Sequence, residues 1–279
     1  MEIHYFSGNK KEKKVTTLGI IFLKNHCLAV KTSNEKSTLC IEMKKIAFDP
    51  QKTAATIEAL KQLASKKTRL IVSMPLHQVI LHNFTLELTL SNKEIITFLQ
   101  SQSRLLFEKT ENELCFDYEV KSRDQTHQTI SAVFAHQKEI QCTKKLFSQS
   151  KLKLTVIDID AFALARLTHY SLNKHIFIYS DYDENCLIVI ATAGKLMHCE
   201  YIKPASINHF LENSKEKYDY ITPLPEAQNK SNYGDFSHKL LSIRSLLYPW
   251  FINKCAISSN QLSCFAIPIG LCLWEKHEH

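Results

Sequence analysis

The chain has 279 residues, of which 44% are hydrophobic and 23% charged, enough apolar material for two lobes of ordinary size and too much for a disordered chain. The formal charge of +7 rests largely on Lys10, Lys11, Lys13 and Lys14 in a short polar arm, so the rest of the chain carries no nucleic-acid footprint. Nine cysteines, scattered and without a C-x-x-C pair, fit reduced thiols of the cytoplasm and exclude a disulfide framework.

Residues 1–14 are polar and charged and read as a weakly held arm. Segments 16–22, 27–32 and 39–47 follow as three strands at short spacing, the mark of a meander. A helix at 53–65 places Ile57, Leu60 and Leu63 on one face, and a short apolar strand at 69–73 stops before Pro75. Next comes a unit with the order strand (79–86), helix (91–107), strand (112–121), strand (129–136). Ser91 with Glu94 forms a capping box at the start of its helix. A further helix at 138–148 leads into a strand at 152–157 that runs directly into the apolar helix ending at Leu167. Asp158 and Asp160 supply N-cap chemistry there, because a carboxylate accepts the free N–H groups of a first turn.

Beyond Leu167 the pattern restarts with strands at 176–180, 186–192 and 195–202, the last two joined by a hairpin turn at Ala193-Gly194. A helix at 206–214 gives way to irregular chain through 230–233. Another helix is expected at 237–248 and a final apolar one at 263–274, with Pro268 and Gly270 inside it as the source of a kink. That last run is well short of the ~20 residues of a membrane span, and the opening MEIHYFSGNKKEKK lacks the apolar core of a signal peptide. The expectation is a chain that neither crosses a membrane nor is exported. Two strand meanders, each followed by a helix, on either side of the 152–167 junction are the layout of a duplicated α/β domain.

Four stretches, LIVSMPLHQVILHNFTL (70–86), ELCFDYEV (113–120), TVIDIDAFALARL (155–167) and CFAIPIGLCLW (264–274), occur in the order and spacing of a known family. In these the chain resembles the PilM family of type IV pilus assembly proteins and its HofM-like members linked to DNA-uptake pili. The resemblance covers 16–275 and implies an α/β, actin-like (ribonuclease H-like) two-lobed fold, close to the cell-division protein FtsA. The implied division has a first lobe at 15–77 and 151–172, an inserted strand–helix–strand–strand subdomain at 78–150 and a reduced second lobe at 173–260. A closing helix and tail at 261–279 pack on the first lobe. The implied role is that of a cytoplasmic scaffold held at the inner membrane by a PilN-like protein, whose N-terminal peptide enters the groove between the insertion and the first sheet. A motor ATPase or platform component is a further implied partner. An extended peptide in such a groove needs apolar pockets, and Pro75, Leu76, Val79, Phe98 and Leu105 are the candidates. The same side chains also suit an ordinary core.

Actin-like relatives bind ATP through two hairpin loops that need an Asp for the metal and a Gly for close backbone approach to phosphate. The first loop matches Gly19-Ile20-Ile21-Phe22-Leu23, with Ile21 in place of the Asp and Leu23 in place of the second Gly; a family Lys corresponds to Leu28. The second matches 178–182, with Tyr179 for the Asp and Asp181 for the Gly. The Gly-Gly pair expected before the last helix is also missing from a chain with only five glycines. The expectation is a pseudo-ATPase with no cofactor and no catalytic residues. Two alternatives stay open: an actin-like ATPase that still binds Mg-ATP, and a GspL-like scaffold of type II secretion, against which the lack of a spanning helix argues.

Other constellations point less far. His198-Cys199-Glu200 offers metal-type ligands, but neighbours on a strand face opposite ways. His277 and His279 read as solvated ends. A Cys/His nucleophile pair lacks any supporting motif. Asp117 reads as an exposed strand carboxylate opposite Tyr118, and Arg104 as part of a solvated helix face.

Overall fold

A computed structural model describes residues 16–35, 38–65, 67–107, 114–148, 150, 152–182, 185–214, 218–224, 236–248 and 257–274. The arm at 1–14, the stretch 230–233 and both tail histidines lie outside them. In chain order the first elements are β1 (Thr16–Phe22), β2 (His26–Glu35), β3 (Thr38–Ala47), α1 (Thr53–Leu63) and β4 (Thr68–Met74). After a 3-10 turn at Leu76–Gln78 come β5 (Val79–Glu87), α2 (Asn92–Phe107), β6 (Leu114–Arg123), β7 (His127–His136) and α3 (Gln137–Ser148). The chain continues through β8 (Leu154–Ile159), α4 (Asp160–Arg166), β9 (His175–Tyr182), β10 (Asn185–Thr192) and β11 (Lys195–Ile202). It ends with α5 (Ile207–Ser214), β12 (Tyr220–Leu224), α6 (Ile243–Leu247), α7 (Ser259–Cys264) and α8 (Ala266–Cys272).

Three sheets result, ordered β3-β2-β1-β4-β8, β11-β10-β9-β12 and β5-β7-β6. In the first, β1 to β3 form an antiparallel meander while β1, β4 and β8 run parallel. The second repeats that plan with β9 to β11 as the meander and β12 parallel to β9. Among the described residues no strand takes the place of β8 there, only the isolated parallel bridge between Ile221 and Leu240. The third sheet is antiparallel throughout and enters the chain between β4 and β8.

The central strands are covered on both faces, which is why they read as continuous apolar runs. Leu18 and Ile20 of β1 pack with Ile57, Leu60 and Leu63 of α1 and Phe147 of α3. Gly19 and Ile21 face the other way, toward α8. In the second sheet Ile176 and Ile178 pack with Leu211, while Phe177 and Tyr179 join the cluster that contains Ile21. The inserted sheet has its own core, Ile130, Ala132 and Phe134 of β7 against Ile95 and Leu99 of α2.

Helices α4 and α8 are buried almost all round, as their lack of a polar face requires. They pack on each other, α4 also touching β10 and β11, and α8 touching β1, β2 and β4. Small residues permit the approach. A Cβ on Gly270 would overlap the carbonyl of Ala163, and one on Gly19 would overlap that of Pro268.

Where sequence and structure differ, a local rule was outvoted. The region after α5 contains β12, which its length and Pro223 conceal; Pro is tolerated because β12 is the edge of its sheet. The helix expected at 237–248 is only α6, because Leu240 and Leu241 are drawn onto Ile221 of β12 and Ser242 then caps a new start by accepting from the Arg244 N–H. The closing helix is two helices broken at Phe265, with a Ser258–Gln261 capping box opening α7. Pro268 falls in the first turn of α8, where its missing N–H costs nothing. The Ala193-Gly194 turn is present, with φ of 49° and 78°.

Two outcomes follow from the packing. Gly270→Ala should destabilise by about 2 kcal/mol or more, seen as a fall of roughly 4–8 °C in thermal unfolding. His175, buried at the start of β9 and hydrogen-bonded to Ser171 at 2.7 Å, has its pKa driven by burial from 6.5 to about 4, against a smaller opposing pull from Asp219. The unfolded chain therefore binds a proton between these values that the folded one refuses. Stability is complete above pH 6.5 and lost as pH falls toward 4, by up to about 3 kcal/mol. Urea titrations across that range should show the loss, and His175→Gln should flatten it.

Candidate functional site

The first two sheets share one buried cluster built around α4 and α8. Ile21 and Tyr179 are both 0% exposed, and Leu23 and Leu28 are buried with them in one cluster that also holds Phe177, Leu187 and Leu224. The β1–β2 turn is closed by the Leu23 N–H donating to the His26 carbonyl at 2.8 Å. Among the described residues only Ala193 and Gly194 have positive φ, so the β1–β2 turn does not present the glycine nest that cradles phosphate; residues 183–184, between β9 and β10, lie outside the described residues. Gly19 is kept for a different reason, the approach of α8. Asp181 falls near the end of β9.

A polar seam crosses this apolar ground. Asp160 is fully buried at the first turn of α4, and its carboxylate accepts from the Leu76 N–H at 3.1 and 3.2 Å and from the Ala161 N–H at 2.7 Å. The Tyr201 hydroxyl of β11 donates to the same carboxylate at 3.5 Å. One side chain thus ties the root of the insertion to α4 and the second sheet. Asp158 does not cap α4, contrary to the sequence reading. It pairs with Arg166 at 2.5 Å, both buried, and the guanidinium lies 4.6 Å from the ring centre of Trp274. The cap position is Ile159, which makes no side-chain bond.

Burial governs the titratable groups nearby. Burial lowers the pKa of His77. Burial, with Asp160 and Glu200 adding to it, pushes the Cys199 thiol up to about 12, and burial takes Cys27 and Cys272 to the same region. None is a thiolate at neutral pH. His198 and Glu200 share the outer face of β11 and pair at 2.8 Å, while Cys199 faces the core. No group of three or more metal-type ligands occurs among the described residues.

Two grooves flank the insertion's root. One of 430 Å³ runs between α3 and β8, lined by Ile140, Lys144, Phe147, Leu154, Val156 and Ile157 among others. Strand β8 ends its sheet, and among the described residues no strand pairs with its outer edge. The other, of 300 Å³, lies at His77, Gln78, Val79, Ile80, His136 and Glu139. The five groove residues read from sequence are not brought together. Pro75, Leu76 and Val79 sit at the root, Leu76 and Val79 half-buried against the main core. Phe98 packs edge-on to Phe84 at 5.2 Å inside the insertion's core, and Leu105 is 72% exposed on α2. Helical periodicity cannot tell a pocket from a core, and the groove-lining residues of α3 and β8 were missed for that reason. Asp117 and Arg104 are exposed on β6 and α2, as the sequence suggests.

Comparison with solved structures decides the architecture. The chain superposes on the "PilM-PilN type IV pilus biogenesis complex" with a TM-score of 0.69 at 13% identity, covering 92% of this chain and 98% of that one. The fold is actin-like. The cytoplasmic domain of EpsL, an inner-membrane component of the type II secretion system of Vibrio cholerae, also matches, with a TM-score of 0.54 at 11% identity over 76% of this chain and 82% of that one. No family model matches the sequence, and no curated protein does. No described helix is long and apolar enough to cross a membrane. Ile21, Leu23 and Tyr179 all belong to the buried core shared by the two lobes.

The Asp158–Arg166 pair offers a direct test of that core. Arg166→Met strands a buried carboxylate and should cost about 3–5 kcal/mol, and adding Asp158→Leu should recover most of the loss. Chemical denaturation of the two variants measures both.

Proposed function

We propose that this protein is a non-enzymatic scaffold of a pilus, DNA-uptake or secretion machine, which holds an extended N-terminal peptide of a PilN-like membrane protein along the outer edge of β8. The observation that carries the reading is the open strand edge beside an apolar groove between α3 and β8. A peptide there gains main-chain hydrogen bonds from the edge and pockets for alternate side chains at Ile140, Phe147 and Val156. The likeness to a PilM–PilN complex supports a partner of this kind, and the likeness to EpsL supports the secretion variant of the same scaffold. Through that partner the protein would sit on the cytoplasmic face of the inner membrane, within reach of a motor or platform component.

The burial of these loop positions argues for the loss of nucleotide binding. Phosphate needs N–H groups in a concave turn, and a metal needs a carboxylate, where this chain has Ile21, Leu23 and Tyr179 in its core. Calorimetric titration with a synthetic peptide from the cytoplasmic N-terminus of the PilN-like protein encoded nearby should give saturable heat that Ile140→Glu abolishes and Leu105→Glu leaves intact. Mg-ATP should leave the melting temperature unchanged, whereas a ligand at a hundredfold excess over its Kd adds about 2.7 kcal/mol. Peptide binding insensitive to Ile140→Glu would move the site elsewhere. A nucleotide-dependent rise in melting temperature would restore the ATPase alternative.

A further inference from the structure

The connection from α4 to β9 presents an apolar tip that no part of the scaffold reading uses. Leu172 is 90% exposed and Tyr170 56% exposed, the first of these among the most exposed large apolar side chains described. Exposed apolar residues are common singly and need no explanation where the chain is loose. This tip is held from every side. The Ser171 N–H donates to the Thr168 carbonyl at 2.8 Å, and the Ala193 N–H donates to the Ser171 carbonyl at 2.9 Å. The Thr192 hydroxyl donates to the carbonyl of Leu172 itself at 3.1 Å, and the Gly194 N–H donates to the Thr168 hydroxyl at 3.0 Å. Ser171 bonds His175 at 2.7 Å, and the Lys174 N–H donates to Asp219 at 2.8 Å. The Tyr170 ring stands edge-on to His169, with centroids 4.7 Å apart. Leu172 is therefore displayed on a fixed backbone, with little further ordering cost on contact.

From this geometry we infer that the 168–174 connection is a membrane-contact tip, inserting Leu172 and Tyr170 into the interface of an anionic bilayer. Two side chains fall far short of the about 800 Å² per partner that a stable protein interface buries, and they are of the kind, one aliphatic and one amphipathic aromatic, that settles at headgroup depth. Exposed Lys174 and Lys195 flank the tip and suit anionic headgroups. Asp219 is the acidic group beside it, and its carboxylate already accepts the Lys174 N–H. A contact this small is weak alone and matters where a second attachment holds the protein at the surface, since stable anchoring takes two signals. It adds a direct lipid contact to the indirect one of the scaffold reading and does not depend on the peptide groove.

The test is co-sedimentation of the full chain with phosphatidylcholine vesicles with and without phosphatidylglycerol, in the absence of any peptide. The N-terminal lysines are present in every sample, so comparison among variants isolates the tip. Binding to the anionic vesicles is expected, with a partition coefficient that falls roughly tenfold in Tyr170→Ser/Leu172→Ser and is unchanged in Leu105→Ser, another exposed apolar site, on α2. Melting temperatures confirm that both variants are folded. Equal binding by wild type and the double variant, or none by wild type, overturns the proposal. So does a wild-type dimer in gel filtration that the double variant abolishes while vesicle binding stays the same, which would assign the tip to a second copy of the chain.

Discussion

The close contact of α4 with α8 is the constraint on which the remainder depends. Gly270 lies so near the Ala163 carbonyl that no side chain fits between them, and Ala161, Ala165 and Ala266 are buried small residues on the same two helices. Because α4 also packs on β10 and β11, and α8 on β1 and β2, this pair of short helices is the shared wall of both lobes. Neither is long enough to be stable alone in water. Each exists because the other sheet and helix bury it, so the two lobes fold as one cooperative body around them.

Buried polar groups then fix how that wall is oriented. Arg166 is stretched between Asp158 and Trp274, joining the end of β8 to the end of α8. Asp160 reaches Leu76 on one side and Tyr201 on the other. An all-apolar junction would tolerate sliding, whereas these pairs are satisfied in a single arrangement.

The sequence foretold the strands well because buried parallel strands and meanders are dense in β-branched and apolar residues; β1 and β11 are found at their expected bounds. It failed where a long-range partner decided the outcome. β12 exists because β9 offers it an edge, and the Leu240–Leu241 segment joins that strand rather than a helix. Asp158 looked like a cap because capping is local chemistry, while its real partner lies eight residues on at Arg166; Asp160 does accept a first-turn N–H, that of Ala161, and reaches far back to Leu76 as well. A lone arginine in the otherwise apolar run AFALARL was the one visible signal that a buried acid awaited it. The site was less legible than the fold. Phe98 and Val79 are apolar in the same way whether they line a groove or fill a core, and only the three-dimensional edge of β8 distinguishes the two.

The shared core has a mechanical consequence. In a two-lobed protein switched by a ligand, opening and closing exchange water for ligand between the lobes at little net cost. Here parting the lobes would have to break the core that α4 and α8 share with both sheets, and at about 1.5–3 kcal/mol for each buried side chain exposed the open state would be scarcely populated. The inserted sheet is different. It has a separate core and meets the body through the Leu76–Gln78 turn, through α3 and through Lys121 resting on the Phe162 ring. A load applied to the insertion would therefore reach the body through this small set of contacts, Val79 and Val133 on the main core among them.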